Sequence, residues 1–148
     1  KIDFLIDSSP INIVNKDMKI EPLVSFDTCF ITSKKNDNLN LKLEEQKFIM
    51  PYERSSIRKN LEKELKKFDI DLKVVLEVET TDLIISSVKN GIGSGYVVKK
   101  SVDKEVQNKE LIELKTSYKL PKLELNLVYI EDYLTSLARY FIKNYIKK

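Results

Sequence analysis

Apolar and polar positions fall into short blocks whose period switches along the chain. Ile2–Ile6 is an apolar run closed by Asp7-Ser8-Ser9-Pro10, a turn cluster that ends a strand. Ile11–Lys19 reads as a loop. Ile20–Val24 and Phe26–Thr32 read as extended, with Pro22 pointing to an edge or a kink. Lys34–Leu39 is a polar connector, and Leu41–Glu45 is a short helical turn leading into the strand Lys47–Met50, which Pro51 stops. Behind Ser55 or Ser56 as a cap, Ile57, Leu61, Leu65 and Phe68 recur at helical spacing. Asp71–Val78 is β-rich. Thr80 then opens a second helix, with Leu83, Ile84, Ser87 and Val88 facing inward and a stop at Asn90-Gly91. Ile92–Val98 is a strand, Lys99–Val106 a short helix or turn, and Glu110–Lys115 and Leu123–Ile130 are strands. Asp132–Lys148 predicts an amphipathic helix with Leu134, Leu137, Ala138, Phe141, Ile142 and Tyr145 on one side. Strands alternating with helices predict an α/β fold with a mainly parallel sheet.

Composition narrows the chemistry. A length of 148 residues suits one domain or two small lobes. The 26 Lys+Arg and 23 Asp+Glu leave a net charge of +3, too evenly mixed to favour nucleic-acid binding. The absence of histidine removes imidazole bases, a serine triad and imidazole metal ligands. Cys29 stands alone, so neither an internal disulfide nor a multi-cysteine zinc site is available, and its apolar strand marks it as core. Acids alternate with lysine, as in Glu62-Lys63-Glu64, and read as solvated faces rather than a paired-carboxylate cleft. The same reading covers the Lys/Arg content of Arg58–Lys67. No catalytic residue, metal ligand or cofactor is expected. No stretch approaches the ~20 apolar residues of a membrane helix, and Lys1–Ile6 lacks the pattern of a secretory signal. The lysine-rich, cysteine-poor balance predicts a cytoplasmic protein. The chain opens without Met, as a cut or processed chain does.

Two patterns carry candidate chemistry. The three glycines, Gly91, Gly93 and Gly95, lie within five residues. A phosphate cradle needs a strand before its glycines and a helix after. Here the order is reversed, which predicts a tight helix-to-strand turn with close packing. Small hydroxyls are more informative. Ser8 and Ser9 follow the first strand, Thr32 and Ser33 follow Phe26–Ile31, Ser55 and Ser56 follow Phe48–Met50, and Thr80 and Thr81 follow Val74–Val78. In an open parallel sheet these carboxyl ends share one edge, where ligands bind. Two groups also sit at helix starts, where free N–H groups favour an anion. Taken singly, Ser55/Ser56 and Thr80 are explained as ordinary N-caps. Together they predict a small-ligand site for a carboxylate or another anion.

The order of segments resembles the effector-binding domain of LysR-type transcriptional regulators. Lys1–Ile6 is similar to the family's strand in which Asp precedes three hydrophobic residues. Glu21-Pro22-Leu23-Val24 with Cys29–Lys34 resembles its next extended segment, without the usual His-Pro. Leu43–Ile49 and Ser86–Val98 resemble later elements, the glycine segment being the most specific. Leu120-Pro121, Leu125–Tyr129 and Leu134–Ile142 resemble the closing strand and helix. The resemblance spans essentially the whole chain. It implies a Rossmann-like, two-lobed type-2 periplasmic-binding-protein-like fold whose first lobe is incomplete on the N-terminal side. Residues 1–32 with 131–148 would be part of lobe I and residues 33–130 lobe II, with the DNA-binding winged helix-turn-helix absent. It further implies a small effector between the lobes at Ser8, Ser9, Thr32, Ser55, Ser56, Thr80 and Thr81, and DNA contact only through the missing domain. The open sheet edge predicts self-association. The rival readings are a type-2 solute-binding lobe for transport of a small anion, a flavodoxin- or Rossmann-like enzyme, and an interaction domain without a ligand.

Overall fold

The computed structural model describes residues 2–36 and 41–147. Residues 37–39 of the expected connector lie outside the described residues, as do Lys1 and Lys148 of the first and last expected elements. The strands are β1 (Phe4–Ser8), β2 (Met18–Phe26), β3 (Thr28–Thr32), β4 (Lys47–Pro51), β5 (Lys73–Val78), β6 (Ser94–Val98), β7 (Ile112–Leu114) and β8 (Leu123–Ile130). The α-helices are α1 (Ser56–Lys66), α2 (Thr81–Lys89), α3 (Asp103–Gln107) and α4 (Ser136–Phe141). Two compact units share the chain, Lys1–Ser25 with Leu123–Lys148, and Phe26–Lys122. The breaks fall several residues before the expected ones at 32/33 and 130/131. Strand pairing is the reason, because β3 joins the larger sheet and β8 the smaller.

The larger unit is a five-stranded sheet in the order β5-β4-β6-β3-β7. β4 runs parallel to β5 and to β6, whereas β3 is antiparallel to β6 and β7. The sheet is therefore mixed rather than mainly parallel. β3 enters from the far side, with all five of its residues buried, as a central strand covered on both faces must be. Alternation along β3 and β4 splits the interior. Phe30, Phe48, Met50 and Tyr96 pack with Leu61 and Leu65 of α1. Cys29, Ile31, Ile49 and Val97 pack with Ile84, Ile85 and Val88 of α2. Full burial of Leu61 and Leu65 contributes ~1.5–3 kcal/mol each. α1 stops at Lys66, so Phe68 lies past it, 53% exposed and stacked on Tyr118. In α2 the inward set is Ile84, Ile85 and Val88, and Leu83 points to solvent. Gly91 closes that helix at φ +78°, a left-handed conformation that suits glycine. A Cβ at Gly95 would lie 2.6 Å from Ile84 Cγ2, so the glycine lets β6 approach α2. The glycine run is a packing device, as its order predicted.

The smaller unit is a three-stranded sheet in the order β1-β8-β2, with β1 antiparallel to β8. Pro22 lies in β2, an edge strand, where its missing N–H is tolerated. Leu127, Tyr129 and Ile142 form its buried core, with Phe4, Leu23, Leu134 and Ile146 against it. The expected single helix over Asp132–Lys148 is broken. A 3-10 turn spans Glu131–Tyr133, Thr135 caps α4 through Ala138 N at 3.1 Å, and a π-helical turn spans Ile142–Ile146. Of the expected apolar stripe, Ala138 and Ile142 are buried, while Leu137, Phe141 and Tyr145 are exposed. Tyr129 donates to Glu21 Oε1 at 2.6 Å, and Lys147 pairs with the same carboxyl group. Lys147 first, then Tyr129, hold Glu21 below the usual carboxylate range. The Glu21 bond, with burial behind it, pushes the Tyr129 phenol up to about 12.

Candidate functional site

Parallel pairing brings the carboxyl ends of β4, β5 and β6 to one edge of the larger sheet. The chain leaves β4 into α1, returns as β5, then passes through α2 to β6 on the other side of β4. α1 packs on one face of the sheet, and the segment after β6 packs Val102 and Val106 on the opposite face. The connections after β4 and β6 therefore diverge, and an open α/β sheet offers a ligand crevice where they part. Because β3 is antiparallel, the residue it places at this edge is Thr28, level with Val98 of β6.

Ser55 and Thr80 are the N-caps of α1 and α2. Ser55 Oγ accepts from Arg58 N at 3.4 Å, and Thr80 Oγ1 accepts from Leu83 N at 3.3 Å. Each hydroxyl spends an acceptor on the cap and keeps its own O–H to donate. The two helix starts differ in charge. The first turn of α1 holds no acid, whereas that of α2 holds Asp82 behind Glu79. Ser55 and Ser56 are half-buried, and Thr80 and Thr81 are exposed. An anion is therefore better placed at α1.

Arg58 is the buried charge of this edge, 7% exposed. Its Nη1 donates to Pro51 O at 3.0 Å and meets Glu77 Oε1 at 3.0 Å, and its Nε donates to Glu62 Oε1 at 2.7 Å. Burial works against the charge, but the bonds to Glu62 and Glu77 outweigh it and raise the guanidinium pKa further. Thr28 Oγ1 donates to Pro121 O at 2.7 Å and accepts from Tyr96, whose phenol burial pushes far above its ordinary range. Cys29 is buried, and its thiol is pushed up to about 12, first by that burial. Among the described residues no group of three or more His, Cys, Asp or Glu could hold a metal. No helix there is long and apolar enough to cross a membrane.

Residues 1–146 match the family model described as the LysR substrate binding domain. The chain belongs to this family. Solved structures of LysR-type regulatory domains share the fold. The effector-binding domain of QuiR in complex with shikimate superposes with a TM-score of 0.77 at 14% identity, over 98% of this chain and 70% of that one. The CcmR regulatory domain from Synechocystis in complex with 2-PG gives 0.77 at 18%, over 95% and 70%. The apo regulatory domain of HypT from Salmonella typhimurium gives 0.79 at 12%, over 96% and 70%. No curated protein matches the chain in sequence. A LysR substrate-binding domain is a regulatory module, and its type-2 periplasmic-binding-like α/β fold is the one the family resemblance implied.

Within the larger unit, the expected hydroxyls of this LysR domain do not all lie at one edge. Ser55, Ser56, Thr80 and Thr81 share the carboxyl edge of the larger unit. Thr32 ends an antiparallel strand and lies at the opposite edge, fully buried, where its Oγ1 accepts from Asn36 Nδ2 at 3.1 Å. Asn36 also donates to Ser94 Oγ, which donates to Gln46 Oε1, and the buried Ser33 hydroxyl beside them has no partner among the described residues. Ser8 and Ser9 belong to the smaller unit, where Ser9 Oγ accepts from Asn126 Nδ2 at 2.8 Å. The larger unit also has two cavities, the second of which has Arg58 and Glu62 in its lining. One of about 490 Å³ is lined by Leu41–Glu44, Gln46 and Leu114–Tyr118, and one of about 810 Å³ runs along α1 and the start of β5. Sequence reasoning missed Arg58 and Thr28. Arg58 hides among alternating charges. The antiparallel course that brings Thr28 to the edge leaves no local signal.

Proposed function

We propose that this chain is the effector-sensing domain of a LysR-type transcriptional regulator and that its effector is a small anion, a carboxylate or a sulfate-like group. The observation that carries the reading is the start of α1. It is capped by Ser55, carries no acid in its first turn, and follows β4 at the point where the connections after β4 and β6 part. Ser55 and Ser56 donate to the anion together with the free amides of that turn, and Thr80 and Thr81 flank it. Thr32, Ser8 and Ser9 are left out of this lining. Small-molecule complexes of the QuiR and CcmR domains support a ligand of this size. The role is sensing rather than catalysis. DNA contact belongs to another part of the regulator, self-association to its assembly, and the setting is the cytoplasm. Binding acts by differential affinity for two states of the full-length protein.

A thermal-shift screen against sulfate, shikimate and 2-PG tests this, with Ser55→Ala and Thr80→Ala in parallel. A ligand at a hundred times its Kd adds about 2.7 kcal/mol to stability. The expected result is a hit lost in Ser55→Ala and weakened in Thr80→Ala. A hit untouched by both variants would place the ligand elsewhere, and no response to any of these anions would defeat the reading.

A further inference from the structure

One residue closes the β4–α1 loop at both ends. The backbone N–H of Arg58 donates to Ser55 Oγ, and its guanidinium donates to Pro51 O. Between them Ser55 N donates to Tyr52 O at 2.9 Å, so the loop is a tight turn held from inside the helix. The guanidinium is anchored in turn by Glu62 and Glu77.

The Glu77 anchor depends on an irregularity. Phe48 is level with Val74, but Ile49 is level with Leu76, so Val75 is an extra residue in β5. Side chains on a strand alternate, and one extra residue flips all that follow. Val74 packs on the α1 side of the sheet. In a regular strand Glu77 would face the α2 side. After the bulge it is level with Met50, on the α1 side, where it meets Arg58. Val78 correspondingly packs on the α2 side.

We propose that Arg58, anchored by the bulge-directed Glu77, is the positioning residue that holds the Ser55–Ser56 turn in its ligand-facing shape. This rests on the reading that the turn meets an anionic effector. Lysine keeps the charge but not the planar fork, so Arg58→Lys cannot serve Pro51 O, Glu62 and Glu77 together. Glu77→Gln is the milder second variant, leaving the guanidinium in place.

The experiment is amide hydrogen exchange and a sulfate titration, both read by NMR on the 148-residue chain. In Arg58→Lys the core amides of Phe30 and Ile49 are expected to exchange as in the parent. The Ser55 amide is expected to exchange about tenfold faster, the loss of one charged hydrogen bond. Sulfate affinity read at the Ser56 and Ile57 amides falls several-fold. Glu77→Gln moves both readouts the same way by less, and it carries the test alone if Arg58→Lys does not fold. Parental exchange at Ser55 together with parental sulfate affinity in the folded variants overturns the role of Arg58 alone. A parent chain whose Ser56 and Ile57 amides ignore sulfate overturns the anion reading, and the proposal with it.

Discussion

Capping and anion binding at Ser55 can be pulled apart by one substitution. Ser55→Ala removes the acceptor for Arg58 N and should cost about 1 kcal/mol, a fall in melting temperature of about 4 °C for a unit of this size. Ser55→Asp keeps an acceptor at the cap and adds a negative charge to a helix whose first turn has none. It should restore the cap and add a further ~0.3–1 kcal/mol through the helix dipole. The same charge would face any bound anion. At about 4 Å the repulsion is ~1 kcal/mol in water and ~4 kcal/mol where the effective dielectric constant is near 20. Affinity should therefore drop by roughly fivefold to nearly a thousandfold. Stability and binding move in opposite directions in Ser55→Asp and in the same direction in Ser55→Ala. Urea unfolding followed by circular dichroism gives the first quantity, and a sulfate or 2-PG titration gives the second. If Ser55→Asp binds as tightly as the parent, Ser55 is a cap and nothing more.

Other consequences follow from the core and from the smaller unit. Gly95→Ala should lose about 1–3 kcal/mol by overpacking against Ile84 and Val88, part of it recovered in combination with Val88→Ala; parental unfolding of the single variant in urea would refute the packing account. The Cys29 thiol, buried and raised to about 12, should resist alkylation at pH 8 in the folded chain and react in urea, and rapid labelling without denaturant would refute its burial. Tyr129 should ionise near pH 12, and Glu21→Gln should bring that step down towards its ordinary 10, read by tyrosinate absorbance. Glu21 has a depressed pKa, so its contribution is present above the ordinary carboxylate range and lost as pH falls through its lowered value. Acid unfolding of the parent should therefore show a component that Glu21→Gln lacks.

Local signals carried most of the elements and little of their pairing. The bounds of β8, the cap at Thr80 and a cap at Ser55 or Ser56 were legible, because alternation and N-cap chemistry act within a few residues. The order of Gly91 to Gly95 after a helix was enough to deny them a phosphate. The direction of β3 was not legible. Nothing in Thr28–Thr32 differs from a parallel core strand, since burial on both faces erases the alternation that would mark it. Thr32 was consequently assigned to the wrong edge and Thr28 was missed. The last helix misled for another reason. Leu137, Phe141 and Tyr145 fit a helical stripe, but a three-stranded sheet offers too little surface to cover it.

The bulge at Val75 ties these levels together. On an edge strand a bulge discourages pairing with a foreign strand, and that alone would account for it. It also changes which face receives a carboxylate. Paired without the bulge, the same residues would send Glu77 to the α2 side, leaving Arg58 buried with Glu62 and a backbone carbonyl as its partners. A buried guanidinium short of one carboxylate is costly, because desolvation is no longer matched. The edge strand and the α1 cap are therefore not independent features. Deleting Val75 should preserve the Ser55 turn, because Glu77 then follows Val74 by two positions and stays on the α1 side beside Arg58; a loosened turn in that deletion would refute the register argument. The irregularity that blunts the sheet edge and the carboxylate that holds Arg58 are thus set by one register of β5 on β4.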